Sequence, residues 1–300
     1  VITAVSPEYM ASFTNVDVLA QEELTVANFS KIALINREDI DGRFANYLTN
    51  SAIDTYGTTA AAEYRFEIAD FSLTNGYSGS VMAPEFPEPQ PARINVAGEH
   101  SLRPAMAATA VAAKLGLSPV DIVSGLARLQ SSPGRMNVLR GLQQSTIIDD
   151  TYDSNPASAA SALQTLYAVE APQRIAILGS MTGLGQFSPD EHRKIGELCD
   201  PNLLAWVVTI GDEAEAYLAP AARSRGCQVR SFKSPLEAGG FVHGILDNEG
   251  ACILAKGSRD GVFVEEAVKV LVHSNEEDQQ LVRQTPEWLE MKSNLFSKFS

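Results

Sequence analysis

Between Gly134 and Val272, short apolar runs alternate with helical stretches, and this alternation constrains the fold more than any other feature of the chain. Ser145 to Asp150 is an apolar run ending in a polar turn, Pro156 to Val169 is alanine-rich with helical spacing, and Arg174 to Gly179 reads as the next strand. Ser188-Pro189-Asp190-Glu191 predicts a helix start with Ser as cap and Pro at the first position. Strands are expected at Ala205 to Gly211, Gln228 to Phe232 and Ala251 to Lys256. Helical stretches lie between or after them at Glu213 to Ser224, Pro235 to Leu246 and Val262 to Val272. Parallel neighbours need a long crossover, usually a helix, so the pattern predicts βαβ units and a mostly parallel sheet covered on both faces. The fold class is α/β.

The first half is less regular. Strands are expected at Val1 to Val5 and Lys31 to Asn36, and helices at Val16 to Ala27, Asp41 to Ala52, Leu102 to Leu115 and Pro119 to Leu129. Tyr64 to Met82 alternates apolar and polar residues around Asn75-Gly76, a hairpin signal, and Pro84 to Pro91 reads as a crossing loop. Ser131-Ser132-Pro133-Gly134 is turn-forming and predicts a boundary between domains 1–133 and 134–300. The polar stretch from Asn275 to Ser300 predicts a terminal helix packed on the body. The strand-like beginning at Val1, without an initiator Met, reads as the interior of a longer chain.

A formal charge of −14 disfavours an electrostatic grip on nucleic acid or on an anionic membrane, because both need clustered Lys and Arg. An anionic ligand must then be held locally. Cys199, Cys227 and Cys252 are far apart without metal-ligand spacing, as expected of reduced thiols in a cytoplasmic protein. No apolar run approaches the roughly 20 residues that span a bilayer. His100, His192, His243 and His273 form no metal-spaced pair.

Ligands of parallel α/β sheets bind beyond the carboxyl ends of the strands, and three such ends stand out. At Asp149-Asp150-Thr151-Tyr152-Asp153-Ser154-Asn155-Pro156, two acids leave a strand and a polar turn opens a helix. One acid could bond ribose hydroxyls and Tyr152 could stack on a ribose or base, or the whole could be a capped βα turn. Ile177 to Gly185 is glycine-containing but lacks dinucleotide-binding spacing. Lys256-Gly257-Ser258-Arg259 ends a strand with two cations, which suits a carboxylate or phosphate, or else a solvated turn. Nothing resembles the G-x-x-x-x-G-K phosphate loop.

Taken in order, these pieces resemble the Mur ligase family, and most of all its branch that adds D-alanyl-D-alanine. Gly98-Glu99-His100 with the alanine-rich helix after it is similar to the family's G-x-H-N segment, and Gly134-Arg135-Met136 to its G-R-M linker. Asp149 to Pro156 resembles D-D-S-Y-N-A-N-P, Leu178-Gly179-Ser180-Met181 with His192-Arg193 resembles L-G-D-M and H-R, and Lys256 to Arg259 resembles K-G-S-R. The resemblance implies the later part of the central ATPase domain followed by a Rossmann-like C-terminal domain. It implies an ATP- and magnesium-dependent ligase that joins an amino acid or dipeptide to a UDP-N-acetylmuramoyl peptide through an acyl phosphate, acting as a monomer. Carried over by position, His100 and Ser101 would lie near the adenine, Arg135 near the phosphates and Asp150 near the ATP ribose, with Tyr152 and Asn155 also around the nucleotide. Lys256, Gly257, Ser258 and Arg259 would face the incoming substrate.

The departures fall where the family binds metal and adenine. Tyr9 stands where the pattern has a magnesium-binding His, and Glu23 where it has a carbamylated Lys. A carboxylate suits a hard cation and a phenol does not, so Glu23 and Glu8 are the expected metal ligands, with Glu23 catalytic. Ser101 and Pro104 replace two Asn, and Ser180 and Gly183 replace acids. A related folyl-polyglutamate or cyanophycin-type amide ligase, or a degenerate ligase-like binding protein, fits the same motifs. Without a phosphate loop the 300 residues alone are expected to be inactive.

Overall fold

Leu19, Ala20, Leu24 and Ala27 recur at helical spacing and form the buried face of helix α1 (Val16–Asn28). Asn15 caps that helix by accepting the Val18 N–H at 3.0 Å. The structure is a computed structural model that describes residues 1–5, 13–49 and 52–297, and it divides into two units, Val1–Gln130 and Ser131–Ser300. Among the described residues no helix is long and apolar enough to cross a membrane.

The first unit holds a five-stranded sheet in the order β1 (Ala33–Asn36), β2 (Ile53–Gly57), β3 (Tyr64–Ser72), β4 (Gly76–Met82), β5 (Gln90–Ile94). The first three strands run parallel, and β3–β4–β5 is an antiparallel meander with the expected turn at Asn75-Gly76. Helices α2 (Leu102–Lys114) and α3 (Pro119–Leu126) bury Leu102, Met106, Ile122 and Leu126 against Tyr64, Phe66, Val81 and Ile94. Three expectations fail here. Of Val1 to Val5, only Ile2 pairs, bridging Ile35. Asp41 to Ala52 shrinks to a 3₁₀ turn at Gly42–Tyr47, since Gly, Asn and Tyr are weak helix formers, and strand β2 begins at Ile53. The proline-rich segment is no crossing but a hairpin connection, and Pro91 is tolerated inside β5 because β5 is the sheet edge.

The second unit carries the alternating pattern. Its strands are β6 (Asn137–Arg140), β7 (Thr146–Asp150), β8 (Gln173–Gly179), β9 (Trp206–Ile210), β10 (Val229–Phe232) and β11 (Ala251–Lys256), in the order β10-β9-β8-β11-β7-β6. All neighbours are parallel except β6, an antiparallel edge strand that the sequence did not reveal. Ile147, Ile175, Ile177, Val208 and Ile253 face one core, and their neighbours Ile148, Ala176, Val207 and Leu254 are equally buried. Both faces are therefore covered. The covering helices are α4 (Pro156–Ala168), α5 (Ser188–Leu198), α6 (Ala219–Ser224), α7 (Pro235–Ile245) and α8 (Glu265–Leu271).

Local departures have local causes. A π-helical turn at Ala214–Leu218 precedes α6, where Pro220 offers no N–H to continue an α ladder. Helix α8 starts only at Glu265, because Gly261 and Phe263 take positive φ. Ser188 does not cap α5; its hydroxyl bonds Glu213 at 2.6 Å and contacts the His192 ring. The end of the chain forms a short α9 (Asn275–Asp278) and then α10 (Pro286–Phe296), with Trp288 and Phe296 packed edge-on against Phe263.

Candidate functional site

The strand order brings together motifs that lie far apart in sequence. Strand β11 sits between β7 and β8, with Lys256 in register with Asp150 on one side and Leu178 on the other. The three strand ends singled out from sequence thus share one edge of the sheet, the edge where α/β folds place ligands.

Asp149 and Asp150 leave β7 with different tasks. Asp149 is fully buried and accepts the Gly134 N–H at 3.2 Å, the Thr151 N–H at 3.2 Å and the Thr151 hydroxyl at 2.6 Å. Burial pushes its carboxyl up to about 6, the Thr151 bonds holding it back. Asp150 accepts the Met136 N–H at 3.1 Å on one oxygen and pairs with Lys256 Nζ at 2.7 Å on the other. The Met136 bond holds a residue at φ +50°, a backbone region unfavourable to Met, directly after Arg135. The resemblance implies Asp150 near the ribose; in the structure both of its oxygens already have protein partners.

The Lys256 to Arg259 turn is a frame more than a surface. Lys256, only 2% exposed, also donates to the Asp153 carbonyl at 2.9 Å. Ser258 donates to the Ser154 carbonyl at 3.1 Å and accepts the Thr182 N–H at 2.8 Å. A Cβ on Gly257 would fall 2.4 Å from Val264, so only glycine fits between them. Lys256 and Ser258, expected with Gly257 to face substrate, point inward because they tie three strand-end loops together. Arg259 alone of the four is exposed.

Above that frame lie the exposed groups. The Arg135 guanidinium stacks on the Tyr152 ring at 4.1 Å, and Tyr152 is 38% exposed. Gly134, at φ +67°, lets the two approach: a Cβ there would lie 2.9 Å from the Tyr152 nitrogen. Asn155 accepts the Ser158 N–H at 2.8 Å while the Ser158 hydroxyl accepts the Asn155 N–H at 3.0 Å, a capping box on α4. The capped-turn reading is therefore realised at Asn155, beside rather than instead of the exposed pair.

His192 was read as part of a motif and turns out to be a latch. Fully buried, it accepts the Met181 N–H on Nε2 at 2.9 Å, and Nδ1 lies 2.8 Å from the Ser188 carbonyl, so its bonding assigns the neutral Nδ1–H tautomer. Burial lowers its pKa below the ordinary histidine value. Sequence reasoning missed Arg283, which donates to the carbonyls of Thr151 at 2.6 Å and Tyr152 at 3.0 Å. Nothing in the polar tail signals it.

The remaining expected residues belong to the first unit. Glu23 is exposed on α1, His100 is half-buried in a 3₁₀ turn at Glu99–Ser101, and the Ser101 hydroxyl donates to the Ala97 carbonyl at 2.8 Å. Glu8 and Tyr9 lie outside the described residues. Among the described residues no group of three or more His, Cys, Asp or Glu side chains comes together to hold a metal. One exposed carboxylate does not fit a magnesium site by itself.

The decisive comparison is with the family of the Mur ligase glutamate ligase domain, whose model matches residues 134–259. Residues 134–259 match a Mur ligase C-terminal domain. A UDP-N-acetylmuramoyl-tripeptide–D-alanyl-D-alanine ligase of Bacillus subtilis is 30% identical over 189 residues, 60% of this chain and 40% of that protein. The matched stretch thus spans less than half of that relative's length. Among solved structures, MurF from Acinetobacter baumannii superposes with a TM-score of 0.75 at 24% identity, covering 89% of this chain and 57% of the other. MurF from Thermotoga maritima, solved in complex with ADP, gives a TM-score of 0.72 at 19% identity over 89% of this chain and 59% of its own. At those identities the structural likeness is one of fold, and the Mur ligase domain provides the frame on which the edge residues are mounted.

Proposed function

We propose that the chain works as part of an ATP-dependent amide ligase of peptidoglycan precursor synthesis in the cytoplasm, adding an amino acid or D-alanyl-D-alanine to a UDP-N-acetylmuramoyl peptide. The observation that carries this reading is the stacked, exposed Arg135–Tyr152 pair, mounted on a Mur ligase domain at the ligand edge of its sheet. Support comes from the relatives named for that reaction and from the neighbour solved with ADP.

In the proposed reaction the peptide carboxylate attacks the γ-phosphorus of ATP, releasing ADP and leaving an acyl phosphate. The incoming amine then attacks the acyl carbon, expels inorganic phosphate and loses a proton, so that an amide bond forms. Arg135 presents a fixed, permanently charged fork to phosphate oxygens, and the free face of Tyr152 offers a stacking surface to ribose or base. Arg259 recognises the carboxylate of the incoming amino acid or dipeptide, while Lys256, Gly257 and Ser258 hold it in place. Asp150 acts through Met136 and Lys256 by setting the position of Arg135. His100, Ser101 and Glu23 are the corresponding proposals in the first unit, with His100 and Ser101 toward adenine and Glu23 toward a nucleotide-bound cation. Magnesium would supply charge neutralisation on the phosphates; the described residues assemble no site for it, and no step here is assigned to it.

Isothermal titration of the 300-residue chain with ADP tests the reading. Binding should be measurable and should weaken about tenfold or more in Arg135→Ala, the loss of one charge-assisted phosphate contact. Equal affinity in both proteins would remove the nucleotide from this edge. In a phosphate-release assay with UDP-muramoyl tripeptide, D-alanyl-D-alanine and ATP, these 300 residues should show no turnover above background, since no phosphate loop is present to cradle the γ-phosphate.

A further inference from the structure

The tail after α9 holds a buried charge cluster that no motif accounts for. Arg283 and Lys292 are 6% and 3% exposed in their side chains, and their partner Glu265 is wholly buried. Arg283 grips Glu265 with two bonds, at 2.8 Å and 2.7 Å, and spends its other donors on the Thr151 and Tyr152 carbonyls. Lys292 bonds Glu266 at 2.6 Å, Glu265 at 2.8 Å and the Arg283 carbonyl at 2.8 Å. Gln284 completes the set, donating to Glu266 at 3.1 Å and accepting from Lys269 at 2.9 Å. Two cations and two carboxylates cancel, so the cluster tolerates burial, while each member removed would leave an uncompensated charge.

The cluster reaches the site from two sides. Arg283 bonds the turn that carries Tyr152. Its neighbour Val282 packs so closely on Gly134 that a Cβ there would lie 2.8 Å from Val282 Cγ1, and Gly134 precedes Arg135. Gly134 and Tyr152 are themselves joined by a 2.9 Å backbone hydrogen bond. Arg283 also sits at φ +55°, a conformation that a non-glycine residue holds only when its surroundings fix it.

We propose that residues 282–292 are a positioning strap, in which Arg283 sets the spacing and orientation of the Arg135–Tyr152 pair for the ligand that pair receives. The nucleotide character of the ligand rests on the function proposed above; the positioning does not. A lysine at 283 could keep the charge opposite Glu265 but has no planar fork to serve a carboxylate and two carbonyls together. Arg283→Lys therefore separates positioning from simple charge balance.

The test compares the 300-residue chain with Arg283→Lys and with Val282→Ala, the milder variant in case the first folds poorly. Hydrogen exchange is read at the amides of residues 134–136 and 150–153, and ADP affinity by titration calorimetry. The expected result is exchange at those amides at least tenfold faster in either variant, with the β8–β9 core amides unchanged, and ADP bound about tenfold more weakly. Faster exchange with no ADP binding by the parent chain would keep the strap and discard the nucleotide. Unchanged exchange at 134–136 and 150–153 in a folded variant would overturn the strap, whatever ADP does.

Discussion

Removing the Asp150 carboxylate would leave the Lys256 ammonium buried without its counter-ion. Asp150→Ala should lower folding stability by roughly 3–5 kcal/mol, the usual consequence of breaking a buried pair. Adding Lys256→Met to that variant should recover part of the loss, because the stranded charge goes too. Urea midpoints of the two single variants and the double variant check this, and additive losses would show that the pair is not coupled. Asp149 makes a prediction in pH. Its folded pKa of about 6 stands above the ordinary 3.8, so its contribution to stability is complete below about 3.8 and is lost as pH rises through 6. Relative to the parent, Asp149→Asn should gain on the order of 2–3 kcal/mol in unfolding free energy between about pH 4 and pH 7. The amide's own mismatch with the Gly134 N–H is the same at every pH, so a flat difference would refute the shift. His192 works the other way: its folded pKa is depressed, so the stability it lends is present above 6.5 and fades as pH falls below that.

At the scale of single elements, the Lys256 to Arg259 turn depends on glycine for steric reasons, since Gly257 meets Val264 on one side and Gly179 on the other. Gly257→Ala should cost roughly 1–3 kcal/mol as overpacking, and Val264→Ala in the same chain should recover part of it. Thermal melts of both decide the matter; a double variant worse than Gly257→Ala alone would place the strain elsewhere. The helices and parallel strands from Thr146 to Lys256 were legible because apolar spacing is local information. That Asp149 and Asp150 end a strand was equally legible. That both of them turn inward was not, because their partners include the Gly134 and Met136 amides and the Lys256 ammonium, set by how chain segments far apart come together. The Arg283 contacts left even less trace: backbone carbonyls carry no residue-type signature, and its targets are 131 and 132 residues away. Strand β6 hid for a plainer reason, four residues being too short to show a period.

For the whole molecule, the second unit has its own six-stranded sheet and its own apolar core, the ingredients of independent folding. We propose that residues 131–300, expressed alone, unfold in one cooperative transition, and circular dichroism with calorimetry would test it; a broad, non-cooperative melt would deny the unit its independence. The strand order has one more consequence, and it concerns time. Lys256 and Asp150 are 106 residues apart, yet β11 fills the slot between β7 and β8. On a ribosome adding roughly 5–20 residues per second, the first strand of that trio waits on the order of ten seconds for the last. Throughout that interval the edges of β7 and β8 lie open to any passing strand, so the nascent chain is most vulnerable to aggregation just before its ligand edge is born.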